Sequence, residues 1–392
     1  MVTSDYLRDA QVVVIGAGAI GSAVSYRLAQ AGARVITVER AYPGAGTTGN
    51  SLGYINGTYK SPRSYHRLNV MSIRDHEDLA DELGADWVRV GGSLHWADST
   101  DTGKLETLRT TMRQLRSWGM RIDTLSPEQV MRELEPDLWI DPAAVPEVFL
   151  VDRAGWLDCV AMAHGTMQAA VRRYGAGLLH DAVVGMRCEA DMITAVSLEG
   201  GDELAADVVL NCAGPDADRI AALAGVRLPL DRTPGVLMTT APAPVGLRHV
   251  VYSAQGNLRP EGGARLMLQR EELDSLVLDE RPLAIDHPAV LDALERLRQV
   301  APGLRDVPLE AVRFGVRPMP RDGLSIVGFD PAIANLYHVV THSGITLAPR
   351  LARLITEELT GGDAAELEPY RLARFSAAEG RRNPSAAVGT GE

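Results

Sequence analysis

Three glycines near the start of the chain are spaced to hold a pyrophosphate. In Gly16-Ala17-Gly18-Ala19-Ile20-Gly21, Gly16 permits a tight turn and Gly18 lets the backbone approach a phosphate. Gly21 lets a helix pack close to the strand before it. The N-terminus of that helix offers backbone N–H groups and a partial positive charge to the phosphates. Glu39 stands 18 residues after Gly21, near the ~20 expected for a carboxylate that binds a ribose hydroxyl; Arg40 follows it. The competing reading is a glycine turn that serves packing alone. The pattern does not choose between FAD and NAD, and an acid at 39 argues only against a 2′-phosphate.

The flanking elements suit this role. Gln11 to Ile15 is a β-branched run that reads as a buried parallel strand. Ile20 to Ala31 has helical apolar spacing and stops at Gly32, and Arg34 to Val38 is a second strand. Together they form a βαβ unit. Further along, Trp87 to Trp96 alternates like a strand, and Lys104 to Trp118 reads as an amphipathic helix. Ser126, Pro127 and Gln129 carry the signature of a helix N-terminus. Asp158 to Tyr174, 288–300 and Leu347 to Leu359 read as helices, and Leu336 to Val340 as a strand.

Four later segments carry residue types suited to a flavin or its substrate. Gly46-Thr47-Thr48-Gly49-Asn50-Ser51-Leu52-Gly53 mixes hydroxyl donors with glycines that let backbone approach closely; alone it is a turn-rich loop. Ala206-Asp207-Val208-Val209-Leu210-Asn211-Cys212-Ala213-Gly214 is a strand ending in a glycine turn. Gly315-Val316-Arg317-Pro318-Met319-Pro320-Arg321-Asp322-Gly323 is followed by Ile326-Val327-Gly328, and His342-Ser343-Gly344-Ile345-Thr346-Leu347-Ala348-Pro349 opens the last helix. In this order the motifs resemble the FAD-dependent D-amino-acid oxidase superfamily, which includes glycine oxidases, sarcosine oxidases and D-amino-acid dehydrogenases. The resemblance spans roughly residues 10–370.

That resemblance implies FAD rather than NAD alone. It implies that Thr47, Thr48, Asn50, Ser51, Leu52 and Gly53 run along the pyrophosphate and under the isoalloxazine. Ala213 and Gly214 return to the nucleotide, and Gly344, Ile345 and Thr346 point a helix N-terminus at the pyrimidine edge. Reduced flavin gains negative charge near N1 and O2, which such a terminus stabilises. Gly16, Gly18, Ala19, Ile20, Gly21, Glu39 and Arg40 complete the expected cofactor set.

Amine oxidation by flavin moves a hydride from Cα to N5, so the protein must supply position and a dry pocket. The resemblance assigns Arg317 to a substrate carboxylate, a role that suits a guanidinium fork; an internal ion pair is the other reading. Asn257, Arg259, Met267 and Gln269 are candidate pocket residues. Tyr54 follows the flavin loop, and His342 is either a pocket group or a satisfied histidine. Some relatives attach flavin through a Cys or a His; Gly315 and Asn50 stand at those positions, which implies non-covalent FAD. Monomeric sarcosine oxidases place a Lys over the flavin to speed reaction with oxygen. Lys60 and Lys104, the chain's two lysines, are not expected there, and Met267 takes that place. The expected function is oxidation of a C–N bond in a small amino acid or secondary amine, with oxygen or another electron acceptor. A dehydrogenase or flavoprotein subunit serving a partner, a 2-hydroxy-acid oxidase, and a flavin protein without turnover stay open.

The remaining bounds are broad. With 392 residues, two domains are expected. These are an FAD-binding domain of 1–85, 150–216 and 318–375, and a substrate-binding domain of 86–149 and 217–317. The fold class is α/β, a Rossmann-like domain interleaved with a mixed-sheet α+β domain. Residues 376–392 lack periodicity and read as a flexible tail. A net charge of −12 excludes a nucleic-acid binder that works through a basic face. Cys159, Cys188 and Cys212 form no CxxC, so neither a disulfide framework nor a metal site is expected. No apolar run has transmembrane length and none resembles a signal peptide, so the cytoplasm is expected. No feature indicates an oligomeric state.

Overall fold

The computed structural model describes residue 7, residues 10–277 and residues 280–375. The tail expected at 376–392 lies outside the described residues. Branched side chains build the first element. In the strand Gln11–Ile15, Val12, Val13, Val14 and Ile15 are all buried. Val12 and Val14 join a core with the helices Ala19–Gln30, Cys159–Tyr174 and Gly344–Leu359. Val13 and Ile15 face the other way, onto a small sheet of Val183–Glu189, Met192–Leu198 and Glu203–Ala205. Each such burial is worth roughly 1.5–3 kcal/mol, so this strand is fixed from both faces.

It lies inside a six-stranded sheet. The order is Ile326–Phe329, Leu336–Val340, Val208–Asn211, Gln11–Ile15, Arg34–Glu39, Gly177–His180. Every adjacent pair is parallel except the first. The chain order reverses beside Gln11–Ile15, with Arg34–Glu39 on one side and Val208–Asn211 on the other. Open α/β sheets bind ligands outside the carboxyl ends of the strands at such a switch point.

The second body is an eight-stranded mixed sheet. Its order is Leu309–Pro320, Leu230–Thr240, Arg265–Gln269, Gly256–Glu261, Val250–Ser253, Ser93–His95, Val148–Val151, Ile122–Leu125. Val250–Ser253 and Ser93–His95 pair in parallel and the other neighbours antiparallel. Val236, Met238 and Leu268 pack on Val290, Leu294 and Leu297 of the helix Pro288–Val300. Leu108 and Met112 of the helix Thr102–Ser117 pack with Phe149 at the other end. The structure is thus an α/β fold, a Rossmann-like domain interleaved with a mixed-sheet one. Two strands of the larger sheet, Val148–Val151 and Leu309–Pro320, run across the expected segment boundaries. Among the described residues no helix is long and apolar enough to cross a membrane.

Local expectations needed correcting where glycine interrupts a pattern. Trp87 to Trp96 is two short strands in different sheets, Val88–Arg89 and Ser93–His95. Gly92 between them has φ of +94°, a conformation that ends a strand. Glycine likewise divides the larger sheet's Val250–Ser253, Gly256–Glu261 and Arg265–Gln269, with positive φ at Gly256 and Gly263.

The capping box at Ser126 and Gln129 forms as expected, but its helix is brief and runs into a π-turn, Val130–Leu134. The next residue, Glu135, is buried. Its carboxylate accepts the backbone N–H groups of Arg248 and His249, at 2.9 and 2.7 Å, and contacts His249 Nδ1 at 2.6 Å. It thereby holds the entrance to Val250–Ser253. Glu135→Ala should lower stability by about 2–4 kcal/mol, read as a fall in the urea midpoint of FAD-loaded protein. A shift under ~1 kcal/mol would show that the anchor contributes little.

Candidate functional site

The glycine turn is built by close backbone approach. Gly16 has φ of +97°, and a Cβ there would lie 2.8 Å from the Cys212 carbonyl oxygen on the neighbouring strand. A Cβ on Gly21 would lie 1.9 Å from the Gly16 carbonyl oxygen. Both positions therefore exclude any side chain, which is how the helix Ala19–Gln30 starts so near the strand end. Gly18, Ala19 and Ile20 line the crevice beyond it. Glu39 ends the second strand, and its carboxylate accepts the Ala17 N–H at 2.8 Å and the Ala41 N–H at 3.0 Å. Arg40 is exposed and pairs with Asp216 at 2.9 Å, beside the turn after the return strand. Gly214 of that turn lines the crevice, while Ala213 sits just behind it.

A second helix N-terminus meets the first. Gly344, Ile345 and Thr346 open the helix Gly344–Leu359 and line the same crevice. A Cβ on Gly344 would sit 3.6 Å from Ile20 Cδ1. Ser343 offers this helix no side-chain cap, and its buried hydroxyl has no partner. His76, held well below its ordinary pKa by burial, lies behind the first turn with Nε2 at 2.8 Å from the Ile345 carbonyl oxygen.

The loop 46–53 closes one side. Ala19 N–H donates to Thr48 Oγ1 at 3.0 Å, and Thr47 Oγ1 donates to the Val316 carbonyl at 2.5 Å. A Cβ on Gly315 would lie 2.8 Å from Asn50 Cβ, so loop and strand touch there. Arg313 donates to the Gly49 carbonyl at 3.2 Å. Thr47, Thr48, Asn50, Ser51 and Leu52 line the crevice, and Gly53 is buried behind it. These features fit FAD: two converging helix N-termini, a turn that a Cβ would block, and a hydroxyl-bearing loop.

The eight-stranded sheet brings Tyr252, Asn257, Gln269 and Arg317 to the far wall of the cavity, while Tyr54, Lys60 and His342 line it from outside that sheet. Asn257 donates to Gln269 from the facing register position. Arg317 lies over Gly235, and its Nη2 donates to Asp274. The two readings of this arginine therefore coexist: it reaches the cavity, and it is held from behind by an acid. Burial pushes the Asp274 carboxyl up despite that partner. His342 projects into the crevice, and burial there, with Lys60 and Arg317 nearby, depresses its pKa to about 3.

Two pocket candidates move out of the cavity. Arg259 is 1% exposed and donates Nε to the Leu52 carbonyl while pairing with Glu261 at 2.7 Å. It clamps the flavin loop from behind. Met267 is 2% exposed and touches Arg259 through sulfur at 3.4 Å. Register explains the pairing: Asn257 faces Gln269, and the next pair along the same face is Arg259 with Met267. The first pair reaches the cavity and the second lies beyond its edge. Conversely, Lys60 was not expected near the flavin and lines the cavity; burial lowers its pKa to about 8. Lys104 is exposed beside Asp101.

An aromatic cluster also escaped the motif reading. Tyr54 OH donates to Ser93 Oγ at 2.9 Å, and Ser93 Oγ lies 2.8 Å from His95 Nε2. His95 stacks on Tyr252 at 5.1 Å. Burial raises the Tyr54 phenol to about 12 and lowers His95 to about 3, so both stay neutral near pH 7. No local pattern marks His95; only the parallel pairing Tyr252↔His95 brings it here.

Comparison with known proteins agrees with this geometry. A family model described as FAD dependent oxidoreductase matches residues 11–358. Glycine oxidase from Geobacillus kaustophilus is 24% identical over 374 residues, covering 93% of this chain and 96% of that protein. Glycine oxidase from Pseudomonas aeruginosa is 26% identical over 377 residues, covering 90% and 95%. The crystal structure of the Geobacillus kaustophilus glycine oxidase superposes with a TM-score of 0.80 at 23% identity, covering 93% of this chain and 99% of that one.

Gly21→Ala tests the cradle directly. The purified variant should carry less than a tenth of the flavin of the parent protein, read from the ratio of visible to ultraviolet absorbance. Undiminished flavin would show that the close approach at Gly16 is not needed for binding.

Proposed function

Because the chain belongs to the DAO family of FAD-dependent oxidoreductases, and glycine oxidases are among its relatives, we propose that it oxidises the Cα–N bond of a small amino acid or secondary amine. The product is an imine, which water converts to a carbonyl compound. One observation carries this reading: the wall bearing Arg317 and Lys60 and the FAD cradle line one cavity. Bound flavin supplies the hydride acceptor. The chain supplies position. Arg317 holds a substrate carboxylate with N–H groups left after its bond to Asp274, and Asp274 fixes the direction of the fork. Tyr54 and Tyr252 wall the cavity with rings whose phenols stay protonated. The helix N-terminus at Gly344 favours the negative charge that reduction brings.

FAD binding is non-covalent in this reading. Cys212 lines the crevice, but burial pushes its thiol up to about 12, so it is no nucleophile. Oxidation of a 2-hydroxy acid needs a base for the hydroxyl proton. His342, depressed to about 3, is a weak one, while Lys60 and Glu271 also line the cavity, so the substrate panel below decides between hydroxy acid and amine. Lys60 in the cavity removes the argument that a missing lysine disfavours oxygen as acceptor. It leaves two versions of the reading, a self-sufficient oxidase and a dehydrogenase serving a partner.

Anaerobic mixing with a panel of amino acids and N-methyl amines tests the reading. A substrate should bleach the flavin band; rapid recovery in air marks an oxidase and slow recovery a dehydrogenase. Arg317→Ala should raise KM for a carboxylate substrate by roughly 100-fold, the size of a lost charge-assisted pair. Bleaching by hydroxy acids alone would sink the amine assignment, and an unchanged KM would remove Arg317 from it.

Lys60 gives a pH signature. Its ammonium is charged below about 8 and neutral above. Binding of a non-oxidisable carboxylate such as acetate, followed by flavin absorbance, should weaken as pH rises through that value. Lys60→Met should flatten this limb; a limb that persists belongs to another group.

A further inference from the structure

A second cleft, of about 960 Å³, shares no lining residue with the flavin crevice. Four segments far apart in sequence meet there, and three of them bring arginine. Arg63 and Arg67 come from the first turns of the helix Arg63–Leu83. Arg121 follows the helix Thr102–Ser117, and Arg153 lies between the strands Val148–Val151 and Ala154–Leu157. Among the described residues Arg63, Arg67 and Arg153 have no carboxylate within ion-pair distance, and Arg121 has only Asp123 at 3.7 Å. Two acids line the cleft. Glu366 is taken by Arg350 at 2.6 Å, which leaves Asp152 facing four guanidinium groups.

This grouping runs against the rest of the molecule, whose net charge is −12. Like charges gathered round one concavity repel, and an anion between them removes that cost. The helix adds to the field. Its N-cap residue, Pro62, offers no side-chain bond, so the N-terminal partial charge also faces this end. Guanidinium forks and a helix N-terminus are the donors that match phosphate oxygens. The wall beside them is aromatic: Trp118 is half-buried, with its ring 5.0 Å from that of His66. A cleft of this volume is within the range that holds a ligand of nucleotide size.

We propose that this cleft binds a nucleotide-sized molecule carrying a phosphate group and a planar ring, separately from FAD. The site does not depend on the amine-oxidising reading, because none of its lining residues lines the flavin crevice. The test uses FAD-saturated protein freed of excess FAD, so that the crevice cannot take up the probe. Calorimetric titration at low salt compares FMN with riboflavin and AMP with adenosine. One site per chain is expected for a phosphorylated probe, with affinity at least ten-fold above that of its dephosphorylated counterpart. The variant Arg67→Ala/Arg153→Ala, changed only at exposed side chains, should keep its flavin and bind the probe at least ten-fold more weakly. Absence of binding by both phosphorylated probes overturns the proposal, as does equal affinity in the variant. Binding of polyglutamate without binding of nucleotide also overturns it, since that marks a face for an acidic protein. Flavin bleaching by amines is read separately, so either idea can fail alone.

Discussion

The loop 46–53 is held against the eight-stranded sheet by two arginines that donate to its carbonyl oxygens, one of them fully buried, and the cavity takes its shape from that constraint. Arg259 reaches Leu52 from one strand, and Arg313 reaches Gly49 from another. A buried guanidinium is costly unless paired and hydrogen-bonded. Arg259 meets the condition with Glu261, the Leu52 and Pro260 carbonyls, and the face of Trp156 at 5.0 Å. Once those bonds are made, the loop has little freedom left to lose when a cofactor binds. Such preorganisation keeps binding energy from being spent on ordering.

Charge is then sorted by depth. The chain as a whole is acidic, yet the cavity is faced by Lys60, Arg317 and two helix N-termini, with Glu271 the one carboxylate among its described lining residues. Asp274 sits behind Arg317 rather than beside it in the cavity, so it orients the fork without occupying the side that meets a ligand. The histidines are the opposite case. Burial holds His76, His95 and His342 neutral. At neutral pH His76 and His95 act as hydrogen-bonding scaffold and His342 lines the crevice, and none adds positive charge that would compete for the anion.

What the sequence disclosed follows from the range of each interaction. Gly16, Gly18 and Gly21 act on atoms a few residues away or on one neighbouring strand, so their spacing carries the information. The order of four motifs was enough for the fold class, and each of the four contributes residues to one crevice. His95 and Arg259 depend on register instead. Their positions are set by which strand pairs with which, across separations such as the 207 residues between Leu52 and Arg259. Alternation assigns Met267 and Gln269 to one face of their strand, but only the extent of the cavity along that strand separates them. They could be named from the sequence and not sorted into depth. Lys60 sits in a loop with no periodicity at all, and loop geometry is where local pattern says least.

The contact between Gly315 and Asn50 joins two observations that the sequence left separate. These are the positions that the sequence resemblance aligns with a flavin-linking Cys or His of some family members, and here they press on each other. A side chain at 315 would meet Asn50 Cβ at 2.8 Å and its carbonyl oxygen at 3.1 Å. Either the loop moves off the strand or 315 stays glycine. The loop is tied to the same strand on both sides of this point, through Thr47 to Val316 and through Gly49 to Arg313, so moving it breaks both ties. In this chain the tight seating of the loop and a covalent flavin link at 315 are therefore mutually exclusive. Retention of the cofactor falls to the glycine turn, the helix termini and the loop itself.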